Sequence, residues 1–141
     1  MKPAQPSRQL QIFSLPVRVY YQDTDAGGVV YHAAYINFLE RARTEWLRRL
    51  GFDHRALAGT FKIVFMVHAM EVRYLRPAFM DDMLIVRLDL ERLGACRIEL
   101  EQRVAREDTS LVEARVKIAC VSSESFKPVR IPDPIRSKIQ Q

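Results

Sequence analysis

An α+β domain, with an antiparallel five-stranded sheet wrapped around one long central helix, is predicted by three observations. One stretch repeats its apolar residues at helical spacing. Four stretches after it alternate apolar and polar residues at a period of two, and one shorter alternating stretch precedes it. The length of 141 residues suits a single core.

Residues 1–15 hold two prolines and little periodicity, so a flexible N-terminal arm is expected there, with the domain spanning 16–141. Val17-Arg18-Val19-Tyr20-Tyr21 alternates as a short strand does, and Asp23-Thr24-Asp25-Ala26-Gly27-Gly28 then reads as a tight loop. From His32 to Leu50, Tyr35, Phe38, Leu39, Ala42, Trp46 and Leu50 recur every three or four residues, which predicts one long amphipathic helix. Gly51 directly after it is a stop signal. A loop is expected over 53–62.

Strand character follows in four stretches. Ile63 to Leu75 places Met70, Val72 and Tyr74 on one face and ends at Arg76-Pro77-Ala78. Leu84, Val86, Leu88 and Leu90 alternate with Arg87, Asp89 and Glu91 before a turn at Leu93-Gly94. Cys96, Ile98, Leu100 and Val104 form the third inward set, and Val112, Ala114, Val116, Ile118 and Cys120 the fourth. These read as a four-stranded meander. Asp133-Pro134 can cap and start a last short helix.

Hydrophobic residues at 48% and charged residues at 28% exclude a disordered or collagen-like chain. No apolar run reaches the ~20 residues of a membrane span, and the N-terminus lacks the apolar stretch of a secretory signal, so a cytoplasmic location is expected. Cys96 and Cys120 are too few for a zinc cluster and read as reduced core thiols. The net charge of +5 favours anionic partners, and charge alone allows a phosphate-bearing ligand and a nucleic acid equally. Basic residues interleave with Glu and Asp on every strand, so no nucleic-acid surface is expected.

Chemistry concentrates in residues 21–35, where two carboxylates, two glycines and a histidine meet at a strand-to-helix junction. Asp, Thr and Gly also serve any ordinary turn, and an Asp ahead of a helix is often its cap. Two acids without a third ligand make a poor metal site, and none is expected. The Gly-Gly pair lets a ligand approach the backbone, and the free amides of a helix start would face its oxygen. With a carboxylate added, this is the minimum apparatus for hydrolysing a thioester without a metal.

The run Asp23-Thr24-Asp25-Ala26-Gly27-Gly28-Val29-Val30-Tyr31-His32, followed by Glu40-Arg41-Ala42-Arg43-Thr44-Glu45-Trp46, resembles the hotdog-fold acyl-CoA thioesterases. The resemblance is to the Tol-Pal-associated YbgC group and the related 4-hydroxybenzoyl-CoA thioesterases, and it covers about residues 16–133. It implies a sheet wrapped round one helix, acyl-CoA sites at subunit interfaces, and no cofactor beyond the coenzyme A of the substrate. Carried over by position, Asp25 becomes the catalytic carboxylate, as nucleophile or as base for water, and Asp23 a supporting acid. The amide of His32 becomes the donor to the thioester carbonyl, its side chain being a capping or catalytic group. Gly27 and Gly28 shape the approach, and Tyr31 lines the acyl pocket or packs in the core. Ala34 departs from the family, where Asn or Ser is usual. The resemblance implies hydrolysis of short- to medium-chain or aromatic acyl-CoA by a homo-oligomer, a dimer or a homotetramer. A non-catalytic acyl-CoA or acyl-carrier-protein scaffold of the same fold is the alternative.

Overall fold

The computed structural model describes residues 12–141. It contains β1 (Phe13–Arg18), α1 (His32–Arg49), α2 (His54–Gly59), β2 (Ile63–Tyr74), β3 (Met83–Leu93), β4 (Arg97–Arg106), β5 (Thr109–Ser122) and α3 (Asp133–Gln140). The strands form one five-stranded antiparallel sheet in the order β1-β3-β4-β5-β2. This is the hotdog arrangement.

Helix α1 buries Tyr35, Phe38, Leu39, Ala42 and Trp46 of the set that the helical period marked, and Ala34 besides, while Leu50 of that set is the half-buried cap residue after the helix. Against it lie Leu84, Val86 and Leu88 of β3, Ile98 and Leu100 of β4, and Val112, Val116 and Cys120 of β5, all nearly or wholly shielded from water. Each element leaves one face for solvent, so neither could stay unpaired without exposing its apolar side. Ala34, where the resemblance leads one to expect Asn or Ser, is itself a core residue.

Several boundaries differ from expectation. The arm expected over 1–15 falls mostly on residues 1–11, outside the described residues, whereas Phe13-Ser14-Leu15 already belong to β1. Pro16 sits inside that strand because β1 is a sheet edge, where a missing N–H costs little. Tyr21–Asp23 form a short 3-10 turn instead of continuing the strand. The loop expected over 53–62 contains α2, whose first turn is capped by Asp53 Oδ1 accepting the Ala56 amide at 2.8 Å. At the far end Pro132, not Asp133, is the cap residue of α3.

The expected four-stranded meander is a three-stranded one. Strand β2 pairs with β5, at the opposite side of the sheet from β3. The chain therefore crosses between β2 and β3, and the crossing segment Arg76–Asp82 passes beside the start of α1. Periodicity reports which face of a strand is buried but not which strand lies beside it.

The outer sheet face carries charge. Asp89 lies opposite Glu101, and its Oδ1 is buried without a hydrogen-bond partner. Burial, with Glu101 adding to it, pushes the Asp89 carboxyl above its ordinary range, while Arg103 and the Ile12 amide work against this. An acid whose pKa is higher in the folded state stabilises the fold below its unfolded pKa and loses that contribution as pH rises through the folded value. Asp89→Asn should therefore raise the melting temperature near neutral pH, by about 2 °C. The gain should vanish below about pH 4, which thermal melts across pH will test.

Candidate active site

The loop between β1 and α1 is folded back on itself. The Asp25 amide donates to Val29 O at 2.9 Å, the Gly28 amide to Asp25 O at 3.0 Å, and the Tyr31 amide to Asp23 O at 2.8 Å. Asp25 thus stands at the head of a tight turn whose returning leg enters α1 at Tyr31 and His32. Residues seven apart in sequence are brought to one end of the helix.

Neither acid caps α1. Its cap position is Tyr31, which makes no side-chain cap bond. Asp23 Oδ2 instead accepts the Tyr20 amide at 2.8 Å, and Asp25 Oδ1 accepts the Gly27 amide at 2.8 Å. Asp23 ties both legs of the loop through its side chain and carbonyl. Asp25 is oriented by one amide yet remains exposed. A carboxylate held this way presents its remaining acceptor capacity outward.

The two glycines do different work. A Cβ at Gly27 would stand 3.2 Å from Asp25 Oδ1, so this glycine admits the carboxylate to its own amide. Gly28 has φ +83° and open space around it. It is required by backbone conformation, not by crowding within the chain. The expectation that both shape a ligand's approach divides accordingly into one close contact and one left-handed turn residue.

His32 opens α1 and is exposed, and Tyr31 before it is 47% exposed, so Tyr31 does not pack in the core of the single chain. The first amides of a helix have no acceptor within it, so the His32 N–H belongs to the part of α1 available to a ligand oxygen. The His32 ring lies 4.4 Å from the Tyr31 ring and 6.4 Å from that of Tyr74.

Sequence reasoning missed the residues that brace this corner. Tyr74 donates its hydroxyl to His32 O at 3.2 Å, and the Tyr35 hydroxyl accepts the Ala78 amide at 3.0 Å. The Val30 amide donates to Ala78 O at 2.9 Å. Asp82 accepts both the Phe79 amide and Arg106, each within 2.9 Å, which rigidifies the crossing segment. Tyr74 and Pro77-Ala78 were legible as one face and the end of a strand and not as braces, because the contacts that give them this role are long-range. Among the described residues no group of three or more His, Cys, Asp or Glu is gathered as a metal ion would need, and no helix is long and apolar enough to cross a membrane.

A carboxylate oriented by a backbone amide, set beside the exposed start of a helix that a sheet enwraps, defines a protein of the hotdog class built for carbonyl chemistry. Residues 19–139 match the thioesterase-like superfamily, and the chain belongs to that family. It is 45% identical over 125 residues to the acyl-CoA thioesterase YbgC of Haemophilus influenzae, covering 89% of this chain and 92% of that one. It is 44% identical over 131 residues to the acyl-CoA thioester hydrolase YbgC of Escherichia coli, covering 92% and 97%. Among solved structures, a probable thioesterase from Bartonella henselae superposes with a TM-score of 0.81 at 40% identity, over 84% of this chain and 98% of that one.

Gly27→Ala should displace the Asp25 carboxylate by a few tenths of an ångström and lower turnover about tenfold with little change in melting temperature. Gly28→Ala should instead lower stability, by about 1 kcal/mol, through the left-handed backbone it must adopt. Paired melts and rate measurements on the two variants will separate these effects.

Proposed function

We propose that this chain hydrolyses acyl-CoA thioesters, of short to medium chain length or with an aromatic acyl group, to the free acid and coenzyme A. The observation that carries the reading is the Asp25 carboxylate, held by the Gly27 amide at 2.8 Å on the loop that leads into α1. The names of the Haemophilus and Escherichia relatives support the substrate class.

In this reading the thioester carbonyl oxygen accepts the His32 amide at the helix start. Charge developing on that oxygen meets a donor fixed in advance, where the helix dipole also favours it. Asp25 takes the proton from an attacking water, or attacks the carbonyl carbon itself and is later released by water. Either route forms a carbon–oxygen bond and breaks the carbon–sulfur bond, and the proton leaves on the coenzyme A thiol. Asp23 and Tyr74 hold the two sides of the corner in register. No metal or cofactor enters the scheme.

We further propose that the active form is a dimer, or a tetramer built from two dimers. Strand β2 is a sheet edge that exposes Met66, Val67 and Tyr74, each 45–47% accessible, and the crossing segment adds Phe79 and Met80. A bare apolar edge of this length is a template for another strand. A two-fold axis through the middle of β2, between His68 and Ala69, would set Phe65 opposite Val72 and Ile63 opposite Tyr74 of a second copy. The middle of one chain would then lie against the catalytic corner of the other. A cytoplasmic setting is consistent with the unpaired thiols of Cys96 and Cys120.

Asp25→Asn should lower thiol release from acyl-CoA by about 100-fold or more, with substrate binding retained. His32→Ala, which keeps the backbone donor, should cost far less. A variant at Asp25 with over half the normal rate would remove the assignment, and loss of turnover in His32→Ala alone would transfer catalysis to the imidazole. Val67→Lys on the β2 edge should yield monomers by light scattering with turnover lost although Asp25 is intact. An active monomer would contradict the shared site.

A further inference from the structure

Among the described residues the buried polar side chains are Arg43, 8% exposed, and Gln102, 1% exposed. Both stand where α1 meets the sheet. Gln102 uses both ends of its amide: Nε2 donates to Leu39 O at 3.0 Å, and Oε1 accepts Arg43 Nη1 at 3.0 Å. Arg43 uses far less of its capacity. A guanidinium has five N–H donors and keeps its charge in a protein. Among the described residues one of those donors has an acceptor, and no carboxylate lies within ion-pair distance of the group. Burial pushes its pKa below the ordinary arginine value, with Glu40 acting in the opposite sense.

Asp89 Oδ1 is the one buried side-chain nitrogen or oxygen without a partner among the described residues, so the idle Arg43 donors are not sealed from water, and a ligand that displaced that water would have to supply an acceptor. Arg43 lines a cavity of about 350 Å³ between α1, α2 and β2, whose wall is otherwise largely apolar, with Leu47, Phe52, Leu57 and Phe65 prominent. The volume lies in the range of small-ligand pockets. Of the acids on its rim, Glu40 is exposed and Asp53 spends Oδ1 on the Ala56 amide, so neither satisfies the guanidinium. The cavity reaches the β2 edge at Phe65, Met66 and Val67, which the pairing proposed above would set opposite residues 72, 71 and 70 of a second copy, next to its Tyr74 end.

We infer that this cavity receives the acyl group of the substrate and that Arg43 determines specificity by hydrogen-bonding an oxygen on the distal end of that group. The inference rests on the thioesterase reading above and narrows it to acyl-CoA esters whose acyl group carries a hydroxyl or carboxylate remote from the thioester. Gln102 is the positioning residue: by fixing one edge of the guanidinium fork it leaves the other edge toward the cavity. An acyl group ending in methyl would fill the apolar wall but strip water from the fork without replacing its acceptor, and that asymmetry is the source of discrimination. If Arg43 merely tied α1 to the sheet, the acyl end group would be irrelevant to its contribution.

The test compares thiol release from straight-chain acyl-CoA esters of matched lengths that end in methyl, hydroxyl or carboxylate. It uses the wild-type protein, Arg43→Met and Arg43→Lys, with melting temperatures for all three. At the best-fitting length, wild-type kcat/KM should favour an oxygen-ended ester over its methyl-ended counterpart by about tenfold or more. The hydroxyl and carboxylate arms identify which oxygen is read. Arg43→Met should abolish that ratio, mainly through KM, by lowering kcat/KM for oxygen-ended esters and raising it for methyl-ended ones, which no longer strip water from the fork. Arg43→Lys should retain part of the preference, and with the wild-type ratio it decides the matter if Arg43→Met does not fold. Methyl-ended esters hydrolysed as well as the others by the wild type at every length would overturn the inference. Equal loss on all three classes in Arg43→Met would do the same and leave a structural tie. Thiol release from no ester at all would defeat the thioesterase reading itself, a result distinct from thiol release without end-group preference.

Discussion

The mutual burial of α1 and the inner sheet face is the constraint on which everything else depends. A single amphipathic helix has one apolar stripe, and here that stripe fits only the hollow of a sheet whose β3, β4 and β5 supply Val86, Leu100, Val116 and their neighbours. Because the helix lies across the sheet, its first turn must emerge at one end, beside the loop from β1 and the crossing from β2 to β3. Packing that has nothing to do with chemistry therefore decides where the helix amides point.

The corner where the β1–α1 loop enters α1, the proposed catalytic site, then needs little burial to be ordered. Short-range bonds shape it: the Gly27 amide to Asp25, the Tyr20 amide to Asp23, and the Tyr31 amide to the Asp23 carbonyl. Longer-range ones anchor it, through the Tyr74 hydroxyl and the backbone of Ala78. Such a scaffold places a carboxylate with precision while leaving it exposed to a large substrate. The exposure fits the proposed pairing of two chains along the β2 edge.

The interior is not uniformly apolar. Arg43 and Gln102 interrupt the contact between α1 and β4 with a polar link whose donors outnumber its acceptors. An apolar pair of similar volume would hold helix to sheet at least as well, so stability alone does not account for a guanidinium there. An acceptor supplied by a ligand does.

Much of this was legible in the sequence because its causes are local. The period of 3.6 in Tyr35, Phe38, Leu39, Ala42 and Trp46 is a property of the helix itself, and the period of two in Leu84, Val86 and Leu88 a property of the strand. The Asp25-Ala26-Gly27-Gly28 turn and its junction with α1 follow from residue type, and the resemblance identified which carboxylate to single out. What remained hidden was non-local. Alternation could not reveal that β2 pairs with β5 and not β3, nor that the crossing would put Ala78 against Val30. In sequence Arg43 is one residue of a family motif with no role attached to it, and Gln102 a polar residue within the β4 alternation. Only the tertiary structure set them 3.0 Å apart, because a contact across 59 residues is decided by how the helix seats on the sheet and leaves no periodic trace in either segment.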